Sequence, residues 1–199
     1  MKKVVFEFFS RWFGNLFNRC NGVTADNFDT IYTPTSAEYL QEIEENEKCA
    51  VACNDCTAEA DFIAAMEFST TARNRGIPNV MPEELRQNAL ALLHNILTPL
   101  MKATGWTYTI NSGFRSDELN TAVGGARTSQ HRTGEAVDIR CYDVNGRRVP
   151  VLEVARMAKK HLQYDQQILY GTFNHLSYRK NGNNRGQIIY HSSYNGERL

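Results

Sequence analysis

The stretch Ile110–Arg140, INSGFRSDELNTAVGGARTSQHRTGEAVDIR, places Arg115, His131 and Asp138 among glycines and small residues, between two apolar strand-like runs, WTYTI and AVDI. His131 and Asp138 are seven residues apart, a spacing natural for a loop that feeds a strand. Neutral imidazole and carboxylate are both good zinc ligands, and a catalytic zinc normally takes three protein groups and leaves one position to water. The third group has to come from elsewhere in the chain, and His175 in FNHLSY is the best-placed candidate. On residue type alone a plain structural role competes, because His and Asp in loops often only hydrogen-bond.

The elements that must position these residues can be read from periodicity. Pro82 suits a first helical position. Leu85, Ala89, Leu92, Leu93, Ile96, Leu97 and Leu100 follow with a helical period, and Pro99 should kink or shorten that helix. After Gly105, the alternation in Trp106–Ile110 predicts a strand. Ser112–Ser116 reads as a loop, Asp117–Val123 as a short helix ended by Gly124 and Gly125, and Ala136–Cys141 as the strand that carries Asp138. Asn145-Gly146 is a hairpin-type turn. Val151–Leu162 reads as a helix packing Leu152, Ala155 and Ala158, and Ile168–Tyr170, Phe173–Tyr178 and Gln187–His191 complete the sheet. The expected fold class is α+β, an antiparallel sheet flanked by helices. His94 and His161 fall within helices and read as structural.

Three separated motifs, S-G-F-R-S (112–116), S-Q-H-x-x-G-E-A-x-D-I (129–139) and N-H-L-S-Y (174–178), together resemble the zinc D-alanyl-D-alanine carboxypeptidases and murein peptidases of peptidase family M15, subfamily A. Hedgehog signalling domains share that fold. The resemblance runs from about Phe68 to about Ile189, in the right order and without a large gap. It implies a hedgehog/DD-peptidase-like fold and zinc held by His131, Asp138 and His175. Two neutral imidazoles and one carboxylate would leave such a site net positive, able to polarise a water and a scissile carbonyl. Arg115 matches the family's substrate arginine, whose planar fork can hold a carboxylate or a developing oxyanion. Read by itself, Arg115 is better explained as a surface residue paired with Asp117 or Glu118. Ser129 and Gln130 match the family's S-Q-H and are expected to orient the loop or contact substrate.

The general base departs from the pattern. Relatives carry an Asp or Glu a few residues before the last ligand, whereas here that segment is Tyr170, Gly171, Thr172, Phe173 and Asn174. Asp165 lies ten residues upstream of His175 and matches a strand entry rather than the base. Strand alternation points Glu135 away from Asp138. Tyr170 falls in about the base's place and can hydrogen-bond there, but a neutral phenol is a poor base at neutral pH. Nothing supports a serine triad built on Ser129 and His161.

The remaining chain sets the bounds. Its 199 residues suit one domain of ordinary size plus an appendage. Lys plus Arg and Asp plus Glu are 22 each, a balance that argues against a nucleic-acid binder. Residues 1–19 carry an amphipathic, aromatic-rich helical stripe, read equally as a helix docked on the protein's own core or one lying in a membrane surface. It is too interrupted for a transmembrane span or a standard signal peptide. Residues 20–60 read as a linker and a helical segment, with Thr35 and Glu38 as a capping box, and 61–199 as the zinc peptidase-like domain. Cys20, Cys49, Cys53, Cys56 and Cys141 are odd in number and cannot all pair internally. The C-x3-C-x2-C spacing of Cys49, Cys53 and Cys56 fits a local disulfide or small helix residues better than the cluster loop of radical enzymes.

Two functions follow as expectations. The first is a zinc metallopeptidase acting on peptidoglycan peptides at the cell wall or periplasm. It would be a phage-type lysin released by other means, or a protein held by an uncleaved amphipathic anchor. The second is a zinc-stabilised peptidoglycan-binding module of the same fold without turnover, as the missing carboxylate allows. A third, weaker idea makes residues 1–19 a membrane-attacking helix.

Overall fold

The computed structural model of the protein describes residues 58–199. The expectations for residues 1–19, for the linker and capping box, and for Cys20, Cys49, Cys53 and Cys56 lie outside the described residues.

The described chain is α+β. Helices α1 (residues 58–67), α2 (Thr70–Arg75) and α3 (Glu83–Leu92) come first. A π turn, Leu93–Leu97, joins α3 to α4 (Thr98–Thr104). Strand β1 (Thr107–Ser112), helix α5 (Asp117–Ala122), a 3-10 turn (Gln130–Thr133) and strand β2 (Ala136–Tyr142) follow. Helix α6 (Val151–His161) then leads to β3 (Gln166–Leu169), β4 (Asn174–Ser177) and β5 (Gln187–Tyr190). The strand order is β1-β2-β4-β3-β5. Three neighbouring pairs are antiparallel, as expected of the sheet, and the β3–β5 pair is parallel.

The prolines act differently from their expected roles. Pro82 is the cap residue before α3 rather than its first helical residue, with extended ψ of 144°, and its carbonyl accepts the Leu85 N–H. Glu83 and Glu84 in the first turn favour that helix end electrostatically. Pro99 does not end the helix. A proline lacks the N–H for an i→i−4 bond and its ring crowds that carbonyl. The π turn just before it widens the ladder, with the Thr98 N–H donating to Leu93 O, and the helix continues to Gly105, which closes it at φ +69°.

One face of the sheet makes the core. Val137, Ile139 and Cys141 of β2 and Leu176 of β4 pack with Leu92, Ile96, Leu97 and Leu100 of the long helix and Val154 and Ala158 of α6. Residues alternate across a strand, so Ala136, Asp138 and Arg140 project from the opposite face. Truncating a fully buried side chain such as Leu97 would cost about 2–5 kcal/mol.

The return from β4 to β5 is tied by charge. Asp165 is fully buried, and Arg185 donates to it through both Nε and Nη2 at 2.7 Å, with Arg179 Nε at 3.3 Å. The two-pronged bond from Arg185 holds the Asp165 carboxyl below the ordinary range against the opposing effect of burial. Above about pH 5 the carboxylate is ionised in the folded and unfolded chain, so the full contribution is present. As pH falls past the unfolded value of about 3.9, the unfolded chain takes up the proton first and the contribution is lost progressively. Asp165→Asn is therefore expected to lower unfolding free energy by roughly 3 kcal/mol at pH 7. Denaturant titration of both proteins at pH 7 and pH 3 should show that gap narrowing in acid.

Candidate metal centre

The sheet's second face gathers the residues singled out by type and spacing. Asp138 in β2 stands directly opposite His175 in β4 and, on its other side, Ser112 in β1. Partners across a ladder point to the same face, so the pairing alone sets carboxylate and imidazole side by side. His131 arrives from the 3-10 turn. Ser129 starts that turn by accepting the His131 N–H on its hydroxyl, and Gly134 ends it in the left-handed region at φ +71°, directing the chain into β2.

The loop from Ser112 to Ser116 holds the other side. Phe114 N–H donates to Met66 O at the end of α1 at 2.7 Å. Gly113 passes so close that a Cβ there would lie 2.5 Å from the same oxygen. Its carbonyl accepts from His131 Nδ1 at 2.7 Å. That bond places the proton on Nδ1 and leaves the Nε2 lone pair facing the site.

His175 Nδ1 lies 2.9 Å and His131 Nε2 3.3 Å from the same Asp138 oxygen, Oδ1. The three potential ligand atoms all fall within 4.8 Å of one another, and each residue is buried. The imidazole rings meet edge to face, their centroids 5.0 Å apart. Burial alone would oppose ionisation of Asp138, but His131 and His175 more than offset it and hold the carboxyl far below its usual range. Burial likewise pushes the His131 pKa down, with Asp138 opposing. A neutral imidazole and an ionised carboxylate are the forms that bind a metal.

Arg115 belongs to this cluster and not to its sequence neighbours. Its Nε donates to Ser112 Oγ at 2.9 Å and its Nη2 to Asp138 Oδ2 at 3.1 Å, while Asp117 is taken by Arg132 at 2.7 Å. The alternative of an exposed Arg115–Asp117 or Arg115–Glu118 pair is thereby set aside. Gln130 has its side-chain amide buried, with neither atom hydrogen-bonded among the described residues.

The other candidates divide plainly. Glu135 accepts from Thr133 Oγ, and Asp165 is consumed by its arginines. His94 is exposed against Glu59, and His161 is exposed at the end of α6. Tyr170 is two residues beyond Ile168, which stands opposite His175, so it shares the site's face. Burial first and the Asp138 charge second push its phenol above the ordinary value, with Arg115 opposing. With its pKa raised the phenol stays protonated, so it can donate a hydrogen bond but offers little phenolate to act as a base. His191, stacked on Tyr170 with centroids 4.3 Å apart, is a residue that sequence reasoning misses. Its only sequence signal is its place at the end of an expected strand.

A sequence model described as Peptidase M15 matches residues 61–177, more than half of the chain. The chain belongs to the peptidase M15 family. No curated protein matches it at a significant level. In this M15 chain two imidazoles and one carboxylate converge from three different elements. That donor set, its three potential ligand atoms within 4.8 Å of one another, fits a four-coordinate divalent ion that keeps a position open.

Two outcomes are expected. Zinc titration of chelator-stripped protein, read by a metal indicator, should give one tight equivalent that His175→Ala removes. Metal that binds only the folded chain should raise unfolding free energy by about 4 kcal/mol at a thousandfold excess over Kd, seen as a higher Tm. Gly113→Ala should weaken both effects, because the added Cβ displaces the carbonyl that orients His131.

Proposed function

We propose that this protein is a zinc-dependent peptidase that hydrolyses peptide bonds in peptidoglycan, as a D-Ala-D-Ala carboxypeptidase or a murein endopeptidase. The observation that carries the reading is the convergence of His131, Asp138 and His175 on one face of an M15 domain. Zinc bound there would supply a Lewis acid that polarises the scissile carbonyl and activates a water.

The chain's own groups account for the rest. Arg115 is held in place by two of its donors, to Ser112 and Asp138, and its Nη1 makes no hydrogen bond among the described residues. That edge is available for a substrate carboxylate or for negative charge developing on the carbonyl oxygen. Gln130, whose side-chain amide is buried, helps to orient the loop that carries His131. Ser129 positions substrate only indirectly, through the turn it caps. Tyr170 donates a hydrogen bond from its neutral hydroxyl rather than taking a proton.

A second reading rests on that same tyrosine. With a phenol where relatives have a carboxylate, the domain would bind peptidoglycan peptides and turn them over slowly or not at all. Zinc would then serve chiefly for stability.

Mass spectrometry of purified peptidoglycan fragments incubated with zinc-loaded protein separates the two. Zinc-dependent loss of a terminal D-Ala or cleavage of a cross-link, abolished by chelator, is the expected result. Arg115→Ala should reduce kcat/KM by about 10²–10³-fold while leaving the zinc equivalent intact. Saturable binding with uncut fragments would favour the binding module.

A further inference from the structure

We propose that His191, braced by Ser193, is a positioning residue that clamps the Tyr170 ring so that its hydroxyl is presented beside the His131–Asp138–His175 cluster. This rests on the peptidase reading for its kinetic consequence but not for its geometry.

The sheet brings these residues together. β3 and β5 run parallel, with Ile168 opposite Ile189 and Leu169 opposite Tyr190. The ladder continues past the strand ends, the His191 N–H donating to Leu169 O. Tyr170 and His191 each lie two residues beyond the Ile168–Ile189 pair, so both project from the face that carries the ligands. On the other side the Tyr170 N–H donates to Phe173 O, which sets Phe173 next in the same row.

The Tyr170 ring is held between two planar groups. Phe173 stacks on it at 4.3 Å and 15°, and His191 at 4.3 Å and 29°. Such a sandwich restricts the ring's tilt and leaves its hydroxyl as the variable end.

His191 is itself immobilised by a directed chain of hydrogen bonds. The Gly171 N–H donates to Ser193 Oγ at 3.2 Å. The Ser193 hydroxyl lies 2.9 Å from His191 Nδ1, and the Ser193 N–H donates to the same nitrogen at 3.1 Å. A backbone N–H can only donate, so Nδ1 is the acceptor and the ring proton sits on Nε2. With its acceptor nitrogen occupied, His191 is not arranged to take a proton from the reaction. It is arranged to stand still.

The segment after Tyr170 is pinned as well. Arg140 Nε and Arg148 Nη2 both donate to Thr172 O, and a Cβ at Gly171 would lie 2.5 Å from Ser193 O. Asp138 pairs with His175 and His175 with Ile168, so Tyr170, two residues beyond Ile168, lies on the cluster's face of the sheet.

The test combines kinetics with a direct view of the ring. In the zinc-loaded protein, His191→Ala is expected to lower kcat by about 10–100-fold, the scale of a misplaced catalytic group, with KM and zinc stoichiometry little changed. His191→Phe, which keeps a stacking ring but not the Ser193 bonds, should recover part of the loss. In a Tyr170→Phe background His191→Ala should add nothing, because its effect passes through the hydroxyl already removed. Unaltered kcat in His191→Ala, or the same loss with and without Tyr170, would overturn the proposal. The second readout needs no turnover: in protein labelled with ring-13C tyrosine, the signal missing from Tyr170→Phe should shift and broaden in His191→Ala and stay closer to wild type in His191→Phe. An unchanged signal in His191→Ala refutes the clamp. A changed signal in a protein that cleaves nothing supports the clamp and counts against the peptidase reading alone.

Discussion

A carboxylate buried in the middle of a sheet must be surrounded by donors, and much of this domain is arranged around that demand at Asp138. The strand places it, since β2 alternates Val137, Ile139 and Cys141 into the helix layer and leaves Asp138 on the other face. Arg115 from the loop after β1 donates to it, while His175 across the β2–β4 ladder and His131 from the preceding turn set ring nitrogens beside it. Two of these neighbours, His131 and Arg115, are fixed by something further out. Gly113 O sets the His131 proton, Ser112 holds the Arg115 fork, and the close pass of Gly113 under Met66 anchors the loop that carries both. This layered support orients the side chains that could hold a metal ion.

Tyr170 changes the electrostatics of the centre compared with a carboxylate at that place. With a divalent ion bound, Asp138 and Arg115 cancel, and a phenol adds no negative charge. The site is then more positive by one charge than it would be with an acid there, which favours an anionic substrate group over proton abstraction. The raised phenol pKa acts in the same direction, keeping the hydroxyl protonated and able to donate. Under the proposed peptidase reading, catalysis would lean on charge stabilisation and orientation more than on a strong base. That dependence on orientation gives the Phe173–Tyr170–His191 row its physical sense.

The helix layer supports this face from behind. The π turn lets Pro99 sit inside a continuous helix, so that Ile96, Leu97 and Leu100 stay in register against β2 and β4. The Asp165–Arg179–Arg185 group secures the return to β5, the strand on which His191 depends. Without that parallel strand the tyrosine would have one stacking partner instead of two.

By itself the sequence determined what local chemistry governs. The period of the leucines, the turn at Asn145-Gly146 and the alternation around Asp138 each depend on residues within a few positions of one another. The elements that periodicity predicts accordingly lie near their expected places, as at β1, which runs on to Ser112, whereas α1, α2 and the 3-10 turn carried no such signal. The ligand types and the His131–Asp138 spacing were legible for the same reason, and His175 could be chosen from its motif. Tertiary structure alone decided the rest. Arg115 lies two residues from Asp117 in the chain, yet it turns to Asp138, because β1–β2 pairing brings that buried carboxylate within reach and Arg132 claims the aspartate. The parallel pairing of β5 with β3 joins segments about twenty residues apart without a hairpin to announce it, so His191 carried almost no local signal. Local patterns encode which face a residue takes on its own strand. Which strand lies beside it is settled by packing the whole sheet, and that packing set His191 against Tyr170.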